Sequence, residues 1–119
     1  MANARHTMNF AVMVPVETVS ESNVRGHWSK RAKRAKVQRK ASWASLAHAH
    51  GLRGVVPCVV KLVRVSPREL DDDNLRGALK ACRDGVADWL GVDDRDARVV
   101  WEYGQEKGAK CVRIEVRES

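Results

Sequence analysis

Residues 70–94 read LDDDNLRGALKACRDGVADWLGVDD, and the reading of this stretch decides the fold. Leu75, Leu79, Cys82, Val86 and Leu90 recur at helical spacing and form one apolar stripe. The stretch predicts a helix over Asp73–Leu90, capped by one of the aspartates before Leu75 and ended by Gly91. On its N-terminal side, Cys58–Val65 is rich in β-branched residues and predicts a strand. On its C-terminal side, Ala97–Tyr103 predicts a strand, Gly104–Gly108 a loop, and Cys111–Arg117 a strand in which Val112, Ile114 and Val116 alternate with charged residues. The last two strands are expected to form a hairpin.

Further out, Met8–Val16 predicts a strand that ends near Pro15. From Trp28 to His50 there is no proline or glycine and alanine is frequent, which predicts a helix closed by Gly51 and Gly54. Trp28, Ala32, Ala35, Trp43 and Leu46 are its expected packed side. The order β-α-β-α-β-β specifies an α/β (α+β) fold, a small mixed sheet with two main helices, in a single domain over residues 1–119.

The length of 119 residues suits one domain with a modest core, and 44% hydrophobic residues argue against wholesale disorder. No apolar run approaches the roughly 20 residues of a membrane span, and the N-terminus lacks the apolar core of a signal peptide. Cys58, Cys82 and Cys111 are far apart and odd in number, with no zinc-type spacing. Free thiols, with Cys58 and Cys82 buried, fit a reducing compartment, so a cytoplasmic location is expected.

The net charge of +7 points to a polyanionic partner. Much of it lies in one block: Arg25, Lys30, Arg31, Lys33, Arg34, Lys36, Arg39 and Lys40, with no acidic residue from Val24 through Val65. Cations on several faces of one helix cannot all pair internally, and they are suited to phosphates. Asn23, just before the helix, is a candidate phosphate contact or turn cap. His27, His48 and His50 lack metal-type spacing. With one Phe and one Tyr, single-strand stacking is not expected, and the four Trp are assigned partly to the core.

The acids are clustered as Asp71, Asp72, Asp73 and as Asp93, Asp94, Asp96. Crowded carboxylates repel unless a cation compensates, and a hard ion such as Mg²⁺ prefers oxygen ligands. Asp71 and Asp73 would share one side if the chain were extended there. The alternative is that the aspartates cap the helix and solvate a loop, the reading favoured for Asp72 and Asp96. Lys80 lies seven residues after Asp73, about two turns on, and Asp84 four further, so all three share a face. Lys80 is placed either to hold a phosphate or to form an i,i+4 ion pair with Asp84.

Residues 70–94 resemble the RusA-type Holliday junction resolvases. Their pattern is Asp, one residue, Asp-Asn-Leu, a downstream lysine, an aspartate four residues later, and Asp-Asp before a strand. Asp71 and Asp73-Asn74-Leu75, Lys80, Asp84 and Asp94 match it. Lys80 stands three residues further from Asp-Asn-Leu than in the founding pattern, about 4.5 Å along the axis, and Arg76 is a nearer cation. The resemblance implies Mg²⁺-dependent cleavage of four-way DNA junctions by a symmetric homodimer, with Asp71, Asp73 and Asp94 as metal ligands and Lys80 as an essential catalytic residue. It also implies a role in DNA recombination and repair and a phage or prophage origin. DNA contacts are expected from Asn23, Arg25, Lys30, Arg31, Lys33, Arg34 and Arg76.

A helix of about eighteen residues spans about 27 Å, so Asp94, beyond its end, is expected far from Asp71 and Asp73. Two chains with antiparallel helices would then build composite sites, Asp94 of one beside Asp71 and Asp73 of the other. The competing expectation is a non-catalytic basic DNA- or RNA-binding protein in which the aspartates are caps.

Overall fold

A computed structural model describes residues 9–19 and 28–118. The elements run β1 (Asn9–Val14), α1 (Trp28–His50), β2 (Cys58–Val65), α2 (Asp72–Leu90), β3 (Val99–Glu106) and β4 (Cys111–Glu118). They form a four-stranded mixed sheet in the order β1-β4-β2-β3, with two helices, in the expected β-α-β-α-β-β order.

β2 is buried along most of its length, as its continuous apolar run requires, and pairs on both edges. It lies parallel to β3, with Cys58 opposite Val99 and Val65 opposite Glu106, and antiparallel to β4. Parallel neighbours need a crossover connection, and α2 supplies it. The expected hairpin of the last two strands does not form, because β2 lies between β3 and β4. β4 instead pairs with both β1 and β2, so its alternating Val112, Ile114 and Val116 become central core residues. β3 also runs past the expected end at Tyr103. Gly104 is paired with Val63, and backbone pairing with β2 overrides the loop preference of glycine.

The α2 stripe of Leu75, Leu79, Cys82, Val86 and Leu90 is buried against Val60, Leu62, Ile114 and Val116. Gly91 closes the helix in the left-handed conformation, φ 73°, and its N–H donates to the Ala87 and Asp88 carbonyls. Burial pushes the Cys82 thiol up to about 11. The three cysteines are free, with Cys58 and Cys82 buried. No helix among the described residues is long and apolar enough to cross a membrane.

α1 packs through Leu46 as expected, but the rest of its packed side differs. Its buried residues are Gln38, Ser42 and Leu46, whereas Trp28 is 73% exposed and Ala32 and Ala35 are exposed. The stripe is spaced by four, and its polar members are satisfied by backbone carbonyls, one within the helix and one from the segment after β1. Gln38 Nε2 donates to the Glu17 carbonyl at 2.8 Å, and Ser42 Oγ to the Gln38 carbonyl at 2.8 Å. Small residues at the crossing let α1 and α2 approach closely. A Cβ on Gly85 would lie 2.3 Å from the Arg39 carbonyl oxygen and 2.9 Å from Ser42 Cβ.

Gly85→Ala should therefore destabilise the protein by about 1–3 kcal/mol, because a backbone carbonyl must move. Gly77 is helical and exposed, with nothing within 4 Å of an added Cβ, so Gly77→Ala should stabilise by roughly 0.5–1 kcal/mol. Urea unfolding of the two variants measures both; equal effects would show that the helix crossing is not tight.

Candidate functional site

The acidic run is set by the start of α2. Asp71 is the N-cap, with extended backbone, and its Oδ1 accepts the Asn74 N–H at 2.9 Å. The preceding residue is clamped from β3: Gln105 accepts the Leu70 N–H at 3.0 Å and donates to its carbonyl at 2.7 Å. Because α2 begins at Asp72, successive side chains rotate by about 100° and do not alternate. The expected common side for Asp71 and Asp73 is lost for that reason. All three carboxylates are exposed at the positive end of the helix dipole, and Asp72 and Asp73 make no ion pair among the described residues.

Lys80 bridges two carboxylates. Its Nζ lies 2.6 Å from Asp84 Oδ1 and 3.0 Å from Asp94 Oδ2. The i,i+4 pair is thus formed, and Asp94 joins it. After Gly91 the chain reverses, with the Val92 N–H donating to the Ala87 carbonyl at 3.1 Å. This corrects the expectation that Asp94 lies a full helix length from Asp73. Asp94 stands beside Lys80, and Lys80 is seven residues, about 10.5 Å, along the axis from Asp73.

The residues that fold Asp94 back were not singled out in the sequence. Arg83 donates to the Asp94 carbonyl at 2.7 Å and to the Tyr103 hydroxyl at 2.8 Å, and its guanidinium stacks 4.6 Å over the Trp101 ring. Trp101 Nε1 donates to the same carbonyl at 3.0 Å. Arg83 Nε is 3.4 Å from Asp94 Oδ2, a charge contact without a directional hydrogen bond. The signal was the β3 alternation Trp101, Tyr103, Gln105, which puts these side chains on the helix-facing side.

The hydrogen bond from Lys80 holds the Asp94 carboxyl below its ordinary value, with Arg83 adding to the effect. Asp84 and then Asp94 raise the Lys80 ammonium, so it stays protonated at neutral pH. Asp96 has the structural role expected of it: its carboxylate accepts from the Arg98 backbone and guanidinium and lies at about 2. Arg76, four residues before Lys80, is exposed and has its guanidinium 5.4 Å over the Tyr103 ring of β3.

Lys30, Arg31, Lys33, Lys36 and Lys40 are exposed along α1, and Arg34 is half-buried. Arg39 forms a two-pronged pair with Asp88 at 2.7 and 2.8 Å. Between the helices runs a groove of about 220 Å³. Arg31 stands on one wall and Lys80 and Asp84 on the other, above a floor of Ala35, Gly77 and Ala81. His50 stacks on Phe10 with ring centroids 3.5 Å apart. Asn23, Arg25 and His27 lie outside the described residues.

Among the described residues, no group of three or more His, Cys, Asp or Glu side chains converges as a metal site. Asp71, Asp73 and Asp94 of one chain therefore do not form a ready-made ligand set.

No family model matches the chain, and no solved structure matches it. A curated protein of Xylella fastidiosa (strain Temecula1), described as an uncharacterized protein, is 30% identical over 103 residues. The match covers 80% of this chain and 65% of that relative, so the chain spans just under two thirds of the relative's length.

Asp94 has a lowered folded-state pKa, so its contribution to stability is present above the ordinary value near 3.8 and is lost as pH falls through the folded value. Lys80→Met should raise the Asp94 midpoint toward 3.8 and leave Asp96 unmoved. Carboxyl chemical shifts followed by NMR across the acid range measure this, and an unmoved Asp94 would show that Lys80 does not set its charge.

Proposed function

We propose that the chain is a Mg²⁺-dependent, structure-selective endodeoxyribonuclease that resolves four-way DNA junctions by paired nicks, as its resemblance to the RusA-type resolvases implies. One observation carries this reading. Lys80, flanked by Asp84 and Asp94, opens on a groove whose facing wall is the cationic helix α1. A phosphate chain laid along α1 would pass the ammonium that Asp84 and Asp94 hold in place.

Asp71, Asp73 and Asp94 are the residues that would hold Mg²⁺, since a carboxylate set suits a hard cation. When bound, the ion supplies activation of water and stabilisation of the leaving oxygen. Asp71 and Asp73 stand at the N-terminus of α2 and Asp94 stands beside Lys80, so a homodimer that brings Asp94 of one chain to Asp71 and Asp73 of the other would complete the ligand set. Lys80 contributes a fixed positive charge for the scissile phosphate. Kept protonated by Asp84 and Asp94, it is a binder of developing negative charge and not a general base. The lysines and arginines of α1 hold the DNA arms through their phosphates. Free thiols in all three cysteines fit the cytoplasm as its compartment.

The unconverged carboxylates favour a second reading, a basic nucleic-acid-binding protein without catalysis, in which Asp71 is only a cap. The two readings separate on a labelled four-way junction incubated beside a matched linear duplex, with Mg²⁺ or with EDTA. Paired symmetric nicks in the junction alone, absent in EDTA and in Asp73→Asn, are expected. Tight binding without nicks in any lane would leave the binding protein.

The α1 contacts have their own readout. Lys30→Ala and Lys33→Ala together should flatten the dependence of log affinity on log salt by about 0.9 for each phosphate contact removed. A slope unchanged across a salt series would place the DNA elsewhere.

A further inference from the structure

The four tryptophans divide between core and surface. Trp89 is 1% exposed, and Trp101 packs against the core. Trp28 and Trp43 instead stand on the cationic helix, and Trp43 is 37% exposed. Trp43 and Val37, itself 62% exposed, line a shallow cleft of about 590 Å³ along α1 with Lys36, Arg39 and Lys40, and with Asp88 of α2. The Arg39–Asp88 pair neutralises itself, whereas Lys36 and Lys40 make no ion pair among the described residues. The cleft therefore sets an apolar surface beside two ammonium groups that pair with no carboxylate among the described residues.

That combination selects its occupant. A second copy of the chain docked symmetrically on this patch would set Lys36 and Lys40 against their own copies, and like charges disfavour it. An intact duplex has its bases stacked inside and offers only phosphates. An unpaired nucleotide offers both a π-face for the indole and flanking phosphates for the lysines. The geometry points to the Trp43–Val37 cleft as a stacking site for an unpaired base of DNA, with Lys36 and Lys40 on the neighbouring phosphates. The inference rests on the nucleic-acid part of the proposed function and gives the substrate a further feature: unpaired bases beside the branch. Trp43 lies twelve residues, about 18 Å along the axis, from Arg31 at the Lys80 groove. The base and the cleavage site are thus distinct contacts on one helix.

The test is fluorescence anisotropy in EDTA at fixed salt, with a labelled oligothymidylate of about twelve nucleotides and a labelled duplex of the same length. Trp43→Ala should weaken single-strand binding roughly tenfold, and Trp43→Phe should restore most of it. Val37→Ser, an uncharged change at an exposed position that the core does not need, should weaken it as well. Duplex affinity should stay within about twofold in every variant. Single-strand affinity unchanged in Trp43→Ala and Val37→Ser would overturn the inference. Equal losses on both DNAs, or Trp43-dependent self-association in sedimentation with no single-strand effect, would also overturn it. EDTA binding is independent of cleavage, so an inactive protein that still passes this test would refute only the nuclease reading.

Discussion

The position of β2 is the constraint from which the other placements follow. A strand buried along most of its length must have its backbone groups paired on both edges, and β2 has β3 on one side and β4 on the other. A parallel β3 requires a long crossover, and the apolar stripe of α2 makes that crossover the lid on the sheet. α2 then starts at the end of β2 where Gln105 of β3 reaches Leu70, so the acidic run is anchored by a strand far from it in sequence. The return from α2 to β3 runs back beside the helix and brings Asp94 to Lys80.

The charges of the site follow from that path. Lys80 is held between two carboxylates, one from its own helix and one from the returning loop. Arg83 fixes the loop through its backbone and is itself held by Tyr103 and stacked on Trp101. The cationic side chains of α1 come next to this cluster because Ser42 and Gly85 let the helices approach closely.

Much of this was legible in the sequence because local rules and burial agree there. The α2 stripe, the Gly91 stop, a capping aspartate and the β-branched run of β2 each satisfy propensity and packing together. The shared face of Lys80 and Asp84 followed from helical spacing alone. What sequence reading missed was decided by partners distant along the chain. Gly104 reads as a loop residue until it is paired with Val63, and β4 reads as the partner of β3 until β2 takes the place between them. The packed side of α1 was hidden because Gln38 and Ser42 satisfy their polar groups on nearby backbone and so pass as core. The return of Asp94 depends on Arg83, Trp101 and Tyr103, whose convergence no spacing rule shows.

The tight crossing of α1 on α2 has a mechanical consequence. With a backbone carbonyl packed where a side chain would otherwise stand, the two helices cannot slide past each other without losing that contact. The cationic wall and the Lys80 wall are then faces of one rigid body, and the groove between them has a fixed width. Under the proposed function, a polyanion settling on α1 would meet Lys80 at a spacing set by the helix crossing and not by a loop.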